Sequence, residues 1–342
     1  MKKTALSLLL TVCLAALAAA QGALTINAAG ATFPYPIYSK WFDVYHTQYP
    51  NIQINYQSIG SGGGIRQLTA GTVDFGASDM PMNDDQIKEY QSKNGSAILH
   101  FPTVIGAVVP TYNLPKVSAD LKFTQQALVG IYMGVITRWN DPEIAKANSG
   151  VSLPGDDIVV IHRSDGSGTS FIWTDFLSKA SGDWKSKVGA GASINWPVGL
   201  GGKGNEGVSG LVKQTPDSIG YVELIYALQN NIPFGLVQNS DGKFVKASLE
   251  GVMTAAAGAA KSMPDDFRVS ITNAPGAAAY PISSFTWLLI PQTIKDSAKR
   301  DAIKAFLKWM LTDGQQYNEA LSYAKLPKAV ADKESKQIAK IQ

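Results

Sequence analysis

The sequence predicts an α/β protein of two domains. Segments rich in β-branched residues alternate with segments of helical periodicity between residues 23 and 311, a pattern typical of α/β lobes with mainly parallel sheets. Roughly 320 residues follow an N-terminal leader, and a chain of that length usually forms two domains. The only cysteine is Cys13 in the leader, so the mature chain depends on its hydrophobic cores without disulfides.

Residues 1–20 have the features of a secretory signal peptide. Lys2 and Lys3 precede an apolar run over residues 5–19, and Ala18-Ala19-Ala20 supplies a small-residue cleavage site before Gln21. The run is shorter than the roughly 20 residues that a transmembrane helix needs. Cys13 also lacks the preceding small residue that a lipid-anchored cysteine requires. We therefore expect cleavage after Ala20 and secretion into the periplasm.

The mature chain then alternates strands and helices in order. In its first part we predict a strand over 23–28, a helix over 36–49, a strand over 52–56, a helix over 65–70, a strand over 73–78, a helix from the Asn83 cap to about 92, and a buried strand over 99–109. In its second part we predict a helix over 124–133, a strand over 158–161, a helix from about 169 to 180, a helix over 207–214, a buried strand over 282–290 and a helix over 298–311. Trp41, Trp139 and Trp309 lie at helical spacings with other apolar residues and are predicted to be core.

One segment points to anion binding. Arg163 is followed by a run of glycine and hydroxyl residues, including Ser167, Gly168 and Thr169, that leads directly into a predicted helix. The first amides of a helix lack intrahelical partners and attract anions, while an arginine adds a forked, permanently charged donor. A lone loop of this kind is more often a surface turn with a cap.

Two further segments repeat this pattern. Thr32 lies in the Gly30-Ala31-Thr32 segment before one helix, and Ser61 lies in the glycine-rich segment before another. If these helix starts and that of Thr169 converge on one point, they form a site for a compact, multiply charged oxyanion.

Composition narrows the function classes. Removal of Lys2 and Lys3 lowers the count of Lys and Arg from 30 to 28, against 27 acidic residues, so the mature net charge is about +1. This balance argues against a nucleic-acid partner, which calls for a strongly basic surface. The three histidines, His46, His100 and His162, lack metal-ligand spacing, so no metal is expected.

No cofactor is expected either. The glycines between Gly199 and Gly204 fit the dinucleotide pattern G-x-G-x-x-G, but without its βαβ context, and we interpret the stretch as an inter-element loop.

Eight segments together resemble the periplasmic phosphate-binding proteins of bacterial ABC phosphate importers. They are GATFP (30–34), YQSIGSGGGIRQ (56–67), DFGASDMP (74–81), FPTVIGAVVP (101–110), HRSDGSGTSF (162–171), WPVGLGGKGNEGV (196–208), IGYVE (219–223) and YPISSFTWLLI (280–290). The resemblance extends in order over nearly all of the mature chain.

This resemblance implies a two-lobed periplasmic binding protein fold of type II with the ligand in the interlobe cleft. It implies two crossings between the lobes, near 110–116 and 279–283, with lobe I formed by 21–112 and 283–342 and lobe II by 113–282. It also implies a monomer, without enzymatic activity, that carries inorganic phosphate to inner-membrane permease subunits and changes shape when both lobes touch the ligand.

The resemblance also implies the phosphate-binding residues. They are Thr32, Phe33 (through its amide), Ser61, Asp79, Arg163, Ser167, Gly168 and Thr169. Asp165, two residues from Arg163, is predicted to orient the guanidinium without touching the ligand. The sequence departs from some family members beside the site, at Gly62 and Ser164.

Two alternatives remain open. A secreted phosphatase also needs an oxyanion cradle, and Ser167 and Thr169 are nucleophiles in principle, but no histidine or lysine is placed by the sequence to act as their base. A binder of another tetrahedral oxyanion, such as sulfate or molybdate, is the second alternative. Asp79 argues against it, because a carboxylate can accept the proton that phosphate keeps near neutral pH and that sulfate lacks.

Overall fold

The computed structural model describes residues 24–342. Its strands are β1 (Leu24–Gly30), β2 (Ile52–Ser58), β3 (Phe75–Ser78), β4 (Ile98–Asn113), β5 (Lys122–Phe123), β6 (Val159–Arg163), β7 (Leu200–Gly202), β8 (Ser218–Glu223), β9 (Leu236–Gln238), β10 (Phe244–Val245) and β11 (Ser283–Pro291). Its α-helices are α1 (Tyr35–Gln48), α2 (Ser61–Thr69), α3 (Asp84–Asn94), α4 (Gln125–Tyr132), α5 (Pro142–Ala147), α6 (Gly168–Ala180), α7 (Gly182–Lys187), α8 (Gly204–Gln214), α9 (Leu224–Gln229), α10 (Leu249–Lys261), α11 (Ser297–Leu311) and α12 (Lys328–Ile338). None of the helices in this range is long and apolar enough to cross a membrane. The predicted signal peptide, residues 1–20, lies outside the described residues.

Eight strands form one sheet in the order β2-β1-β3-β11-β4-β8-β6-β7, and β10-β9-β5 form a small second sheet. Strands β2, β1 and β3 are mutually parallel, as are β8, β6 and β7. We call β2, β1, β3, β11 and residues 98–107 of β4 the first lobe, and residues 108–113 of β4 with β8, β6 and β7 the second lobe, each with the helices packed on it.

The expectation of mainly parallel sheets is wrong at the centre of the large sheet. Strand β11 pairs antiparallel with both β3 and β4, and β4 pairs antiparallel with β8. The reason is topological. The chain returns to the first lobe after the second, and β11 then lies between β3 and β4, antiparallel to both.

Strand β4 belongs to both lobes. Its Ala107 pairs with Ser283 at the start of β11, whereas its next residue, Val108, pairs with Glu223 at the end of β8. The strand predicted to end at 109 continues to Asn113, so the chain passes from one lobe to the other inside a continuous, buried strand. The connection between the lobes at this crossing is therefore hydrogen-bonded strand rather than loop.

The cores are apolar and rich in aromatic residues. Trp41 and Trp139 have no exposed surface and Trp309 has 4%, which confirms their predicted core positions. The helix cap predicted at Asn83 is also present, as a capping box: its side chain accepts from the Gln86 amide, and the Gln86 side chain accepts from the Asn83 amide.

Two helices near the predicted anion site begin earlier than the sequence pattern indicates. Helix α2 begins at Ser61 rather than at residue 65, so the glycine run forms its first turn. Helix α8 begins at Gly204 rather than at residue 207, whereas α6 begins at Gly168, in agreement with the predicted start near residue 169. Glycine has low helix propensity, so the sequence argues against helix at these positions, and tertiary packing decides the outcome.

Candidate oxyanion site

In the first lobe, three polar residues follow the carboxyl ends of parallel strands. Thr32 lies just after β1, Ser61 is the first residue of α2 after β2, and Asp79 follows β3 directly. All three are buried, with at most 2% of their surface exposed. The carboxyl ends of parallel strands lie at one edge of a sheet, where α/β proteins commonly bind ligands.

The second lobe presents a matching set. Arg163 ends β6, Ser167 caps α6 by accepting from the Ser170 amide, and Gly168 and Thr169 form the first turn of that helix. Arg163 is 3% exposed, and Ser167 and Thr169 are fully buried. Helix α6 directs its free N-terminal amides, with the positive end of the helix dipole, toward the first lobe.

The two sets meet in direct contact. The Gly168 amide donates to the Ser61 hydroxyl at 3.0 Å, and the Gly62 amide donates to the Gly166 carbonyl at 2.9 Å. A Cβ added at Gly168 would lie 2.5 Å from both the Ser61 hydroxyl and the Asp79 Cβ. Glycine is therefore required at position 168, since any side chain would hold the two lobes apart.

Both lone pairs of the Ser61 hydroxyl are already used, so it can only donate a further hydrogen bond. It accepts from the Asp79 amide at 3.1 Å and from the Gly168 amide at 3.0 Å. A hydroxyl has two lone pairs and one proton, so with both lone pairs in use only its proton remains to be directed. Within the protein that proton has a long contact of 3.5 Å to the Asp79 carboxylate. The same hydroxyl can therefore donate to an anion at this point.

Arg163 is held by Asp165 through two hydrogen bonds. Its Nε and Nη2 atoms donate to the two carboxylate oxygens at 2.8 and 2.6 Å, and Asp165 also accepts from the Gly204 amide at 3.1 Å. Burial raises the pKa of Asp165, but the hydrogen bonds and charge of Arg163 outweigh burial and hold the pKa below its usual value. The remaining nitrogen, Nη1, donates to the Thr169 hydroxyl at 3.3 Å.

Asp79 has the opposite electrostatic character. Its burial raises the pKa of the carboxyl group to about 7, against the opposing effects of a hydrogen bond from Thr286 and the charge of Arg163. Thr286, on β11, donates to Asp79 Oδ1 at 2.7 Å. Asp79 can accept a hydrogen bond when ionised and donate one when protonated, and near neutral pH both forms are accessible.

Phe33 follows Thr32 and has no exposed surface. Its carbonyl accepts from the Tyr323 hydroxyl at 2.6 Å, and the carbonyl of Thr32 accepts from the Tyr226 hydroxyl at 2.6 Å. These two tyrosines, one from the C-terminal part of the first lobe and one from the second, fix the turn between β1 and α1.

Sequence reasoning missed Asn205, the second residue of α8. Its amide and side-chain Nδ2 both donate to the Thr32 hydroxyl, at 3.2 and 2.7 Å, and Nδ2 also donates to Thr169 at 3.1 Å. The stretch between Gly199 and Gly204 is not the predicted loop, because it forms edge strand β7 and the start of α8. The signal that could have found Asn205 is the run Gly201-Gly202-Lys203-Gly204, a glycine-rich helix start like the others.

His162, the histidine next to the site, contacts groups other than the hydroxyls of the site. The ring of His162 stacks on Trp196 with centroids 4.9 Å apart, and its Nδ1 lies 3.0 Å from the Arg163 carbonyl. Residues 24–342 contain no group of three or more His, Cys, Asp or Glu side chains arranged to hold a metal ion. The arrangement supplies oriented donors and one acceptor, as binding requires.

Known proteins match this chain over most of its length. A family profile described as the PBP superfamily domain matches residues 15–314. The phosphate-binding protein PstS of Pasteurella multocida is 44% identical over 328 residues, which cover 96% of this chain and 93% of that protein. The phosphate-binding protein PstS of Xylella fastidiosa is 46% identical over 303 residues, covering 88% of this chain and 81% of that protein.

Solved structures share the fold. A high-affinity periplasmic phosphate-binding protein, PfluDING, superposes with a TM-score of 0.72 at 20% identity, covering 90% of this chain and 92% of that chain. A phosphate-binding protein from Stenotrophomonas maltophilia gives a TM-score of 0.72 at 19% identity, covering 92% and 94%. These likenesses confirm the predicted two-lobed α/β fold.

Proposed function

This chain belongs to the PBP superfamily and, within it, to the family of PstS phosphate-binding proteins, and we propose that it captures inorganic phosphate between its lobes for import by an ABC transporter. Its cargo would be released to the permease subunits of that transporter. The proposal includes secretion of the protein, removal of residues 1–20 and a monomeric state.

The observation that carries the proposal is the meeting of many donors with a single buried acceptor. Hydroxyl and amide donors from both lobes converge on the point where Ser61 touches Gly168, and Asp79 lies at the same point. Phosphate near neutral pH has oxygens that need donors and a proton that needs an acceptor. Sulfate has no proton and would face the Asp79 carboxylate without a hydrogen bond, which is costly in a buried site.

The proposed phosphate ligands are those that the family resemblance implied. They are Thr32, the amide of Phe33, Ser61, Asp79, Arg163, Ser167, Gly168 and Thr169. Their burial and their convergence from two lobes support this set. Asp165 is proposed as a support for Arg163 on the basis of its two hydrogen bonds to the guanidinium.

The lobe boundaries 21–112 with 283–342, and 113–282, are part of the proposal. The start of β11 at Ser283 supports the second boundary, whereas β4 changes its pairing partner between Ala107 and Val108, five residues before the first proposed boundary. A phosphate held from both sides favours the closed form over the open one, since the ligand gains contacts only when the lobes meet. The closed shape is what the permease would recognise.

We propose no enzymatic activity. Hydrolysis of a phosphate ester requires an activated nucleophile or a metal-held water. The Ser167 hydroxyl accepts from the Ser170 amide, and the Thr169 hydroxyl accepts from Arg163 and Asn205; among residues 24–342 neither hydroxyl hydrogen-bonds to a carboxylate or a histidine ring. Their arrangement favours holding an anion over attacking one.

Thermal unfolding of the mature protein against phosphate, sulfate, molybdate and a nucleotide tests the specificity. A ligand that binds only the folded state at a hundred times its Kd adds about 2.7 kcal/mol of stability. We expect a large rise in Tm with phosphate and none with sulfate or the nucleotide. Equal stabilisation by sulfate would reject the proposal in favour of a general oxyanion binder.

Small-angle scattering tests the closure. We expect the radius of gyration to fall when phosphate is added to protein freed of bound anion. An unchanged radius of gyration would indicate that the site is preformed. It would then contradict the proposal that the permease recognises a closed shape induced by phosphate.

A further inference from the structure

Asn205 connects the lobes at the site through one side chain. From the N-terminus of α8 in the second lobe, it donates twice to the hydroxyl of Thr32 in the first lobe, from its amide at 3.2 Å and from Nδ2 at 2.7 Å. Nδ2 donates also to the Thr169 hydroxyl at 3.1 Å, and Asn205 has no exposed surface. None of the residues predicted to bind the anion has this position between the two threonines.

These contacts determine where the hydroxyl protons point. The Thr32 hydroxyl accepts two hydrogen bonds from Asn205, and the Thr169 hydroxyl accepts one from Asn205 and one from Arg163 at 3.3 Å. Each hydroxyl therefore has both lone pairs in use and retains only its proton. Neither threonine can turn a lone pair toward an anion, so both are restricted to donating.

The orientation of the Asn205 side chain is itself fixed. The backbone amide of Glu223 donates to Asn205 Oδ1 at 2.9 Å, and a backbone N–H can only donate, so the NH₂ group must face the threonines. The start of α8 is fixed as well. Gly204 has φ of +71°, a conformation that favours glycine, and its amide donates to Asp165.

We propose that Asn205 is a positioning residue, which turns the protons of Thr32 and Thr169 toward the bound oxyanion and makes both lobes donate at once. The inference rests on the proposed binding of phosphate. It assigns to α8 a role that no predicted ligand has: Asn205 need not touch the anion, and it acts through the two hydroxyls.

A double-mutant cycle tests this role with inorganic phosphate and titration calorimetry. Asn205→Leu is measured in the wild-type background and in a background of Thr32→Val with Thr169→Val. We expect about a tenfold or greater loss of affinity in the wild-type background, because two hydroxyls regain the freedom to turn away from the anion. In the valine background we expect a loss of less than about threefold, since there are no hydroxyl protons left to orient.

Equal losses of phosphate affinity in the two backgrounds would overturn the proposal. A substitution at Asn205 that only disturbs the fold, or only changes the charge near the anion, would lower the affinity equally in both. Asn205→Asp provides a second, nearly isosteric variant in case the leucine variant does not fold. Its carboxylate would accept from the threonine hydroxyls and reverse them. Its charge repulsion is common to both backgrounds, so the difference between backgrounds still isolates the hydroxyls.

Asn148→Leu is the matched control. Asn148 is also buried, and its side chain hydrogen-bonds only backbone groups of Lys122 and Ile144, away from the site. This variant should lower Tm and leave phosphate affinity unchanged in both backgrounds. If wild-type protein itself fails to bind phosphate, the proposed function fails; if it binds and the cycle shows no coupling, only the role of Asn205 fails.

Discussion

The two walls of the cleft differ in how they handle charge. The wall from the first lobe has a buried acid, Asp79, whose burial raises its pKa to about 7. The wall from the second lobe has a buried arginine, Arg163, whose charge is already balanced by Asp165, a carboxyl with a lowered pKa. One wall thus holds a carboxyl whose ionised and protonated forms are both accessible near neutral pH, and the other holds a neutralised ion pair.

Neither wall therefore gives the site a net positive charge. If Asp79 is ionised, the three charged groups sum to one negative charge, and if it is protonated, they sum to zero. Attraction of an anion must then come from oriented dipoles: the first amides of α6 and the hydroxyls of Thr32, Ser61 and Thr169. A neutral, dipole-lined site favours ligands by hydrogen-bond pattern, and the pattern includes one acceptor.

Removal of the second wall's cation should have the largest effect. Arg163→Ala should weaken phosphate binding by about 3 kcal/mol, on the order of a hundredfold, because a charged hydrogen bond in a desolvated cleft is lost and Asp165 is left unpaired. Arg163→Lys should restore only part of the affinity, since an ammonium cannot present the fork. Titration calorimetry showing wild-type affinity in the alanine variant would exclude Arg163 from the site.

The stability of the ligand-free protein should depend on pH through Asp79, the acid of the first wall. Asp79 binds its proton more tightly when folded, with a pKa of about 7 against about 3.9 unfolded, so between these values unfolding releases a proton. The raised pKa of Asp79 therefore adds its full contribution to the free energy of unfolding below about pH 4. This contribution is lost as pH rises through about 7, by about 2 kcal/mol between pH 5 and 7. Urea unfolding of wild type and Asp79→Asn at several pH values measures the difference. Parallel profiles for the two proteins would contradict the raised pKa.

The selectivity of the first wall should depend on the same carboxyl group. Wild-type protein should reject sulfate by orders of magnitude. Asp79→Asn can donate to a bare sulfate oxygen and should narrow the gap between phosphate and sulfate by about tenfold or more, with little loss of phosphate affinity. Competition assays measure both affinities. If sulfate remains excluded to the same degree, Asp79 is not the discriminating residue.

The smallest effect is expected at Asp165. Asp165→Asn retains one oxygen that can accept from Arg163, and it removes a negative charge next to the anion. The poorer orientation of the guanidinium and the greater positive charge oppose each other, so phosphate affinity should change by less than about threefold. Calorimetry at low and moderate ionic strength measures both contributions. A loss as large as that of Arg163→Ala would mean that the orientation of the arginine dominates binding.

Much of the site could be predicted because its residues occur in local patterns. Thr32, Ser61 and Thr169 each lie beside glycine at a helix start, and the structure brings all three to the edges where parallel strands end. Arg163 could be predicted from its place before the Ser167 cap. The exact helix starts could not, because glycine runs oppose helix locally and only packing between the lobes overrides them.

Local sequence patterns predict the alternation of strands and helices, the three glycine-flanked hydroxyls and the arginine, because each depends on residues near one another in the chain. The family resemblance added Asp79. The contacts of these groups depend instead on tertiary packing. The contact of Thr286 with Asp79, the pKa of Asp79 and the place of Asn205 between two threonines all join residues far apart in sequence. Propensity and periodicity act over a few residues, whereas burial and hydrogen-bond partners are set by the packing of the whole sheet, in which β11 returns to lie between β3 and β4.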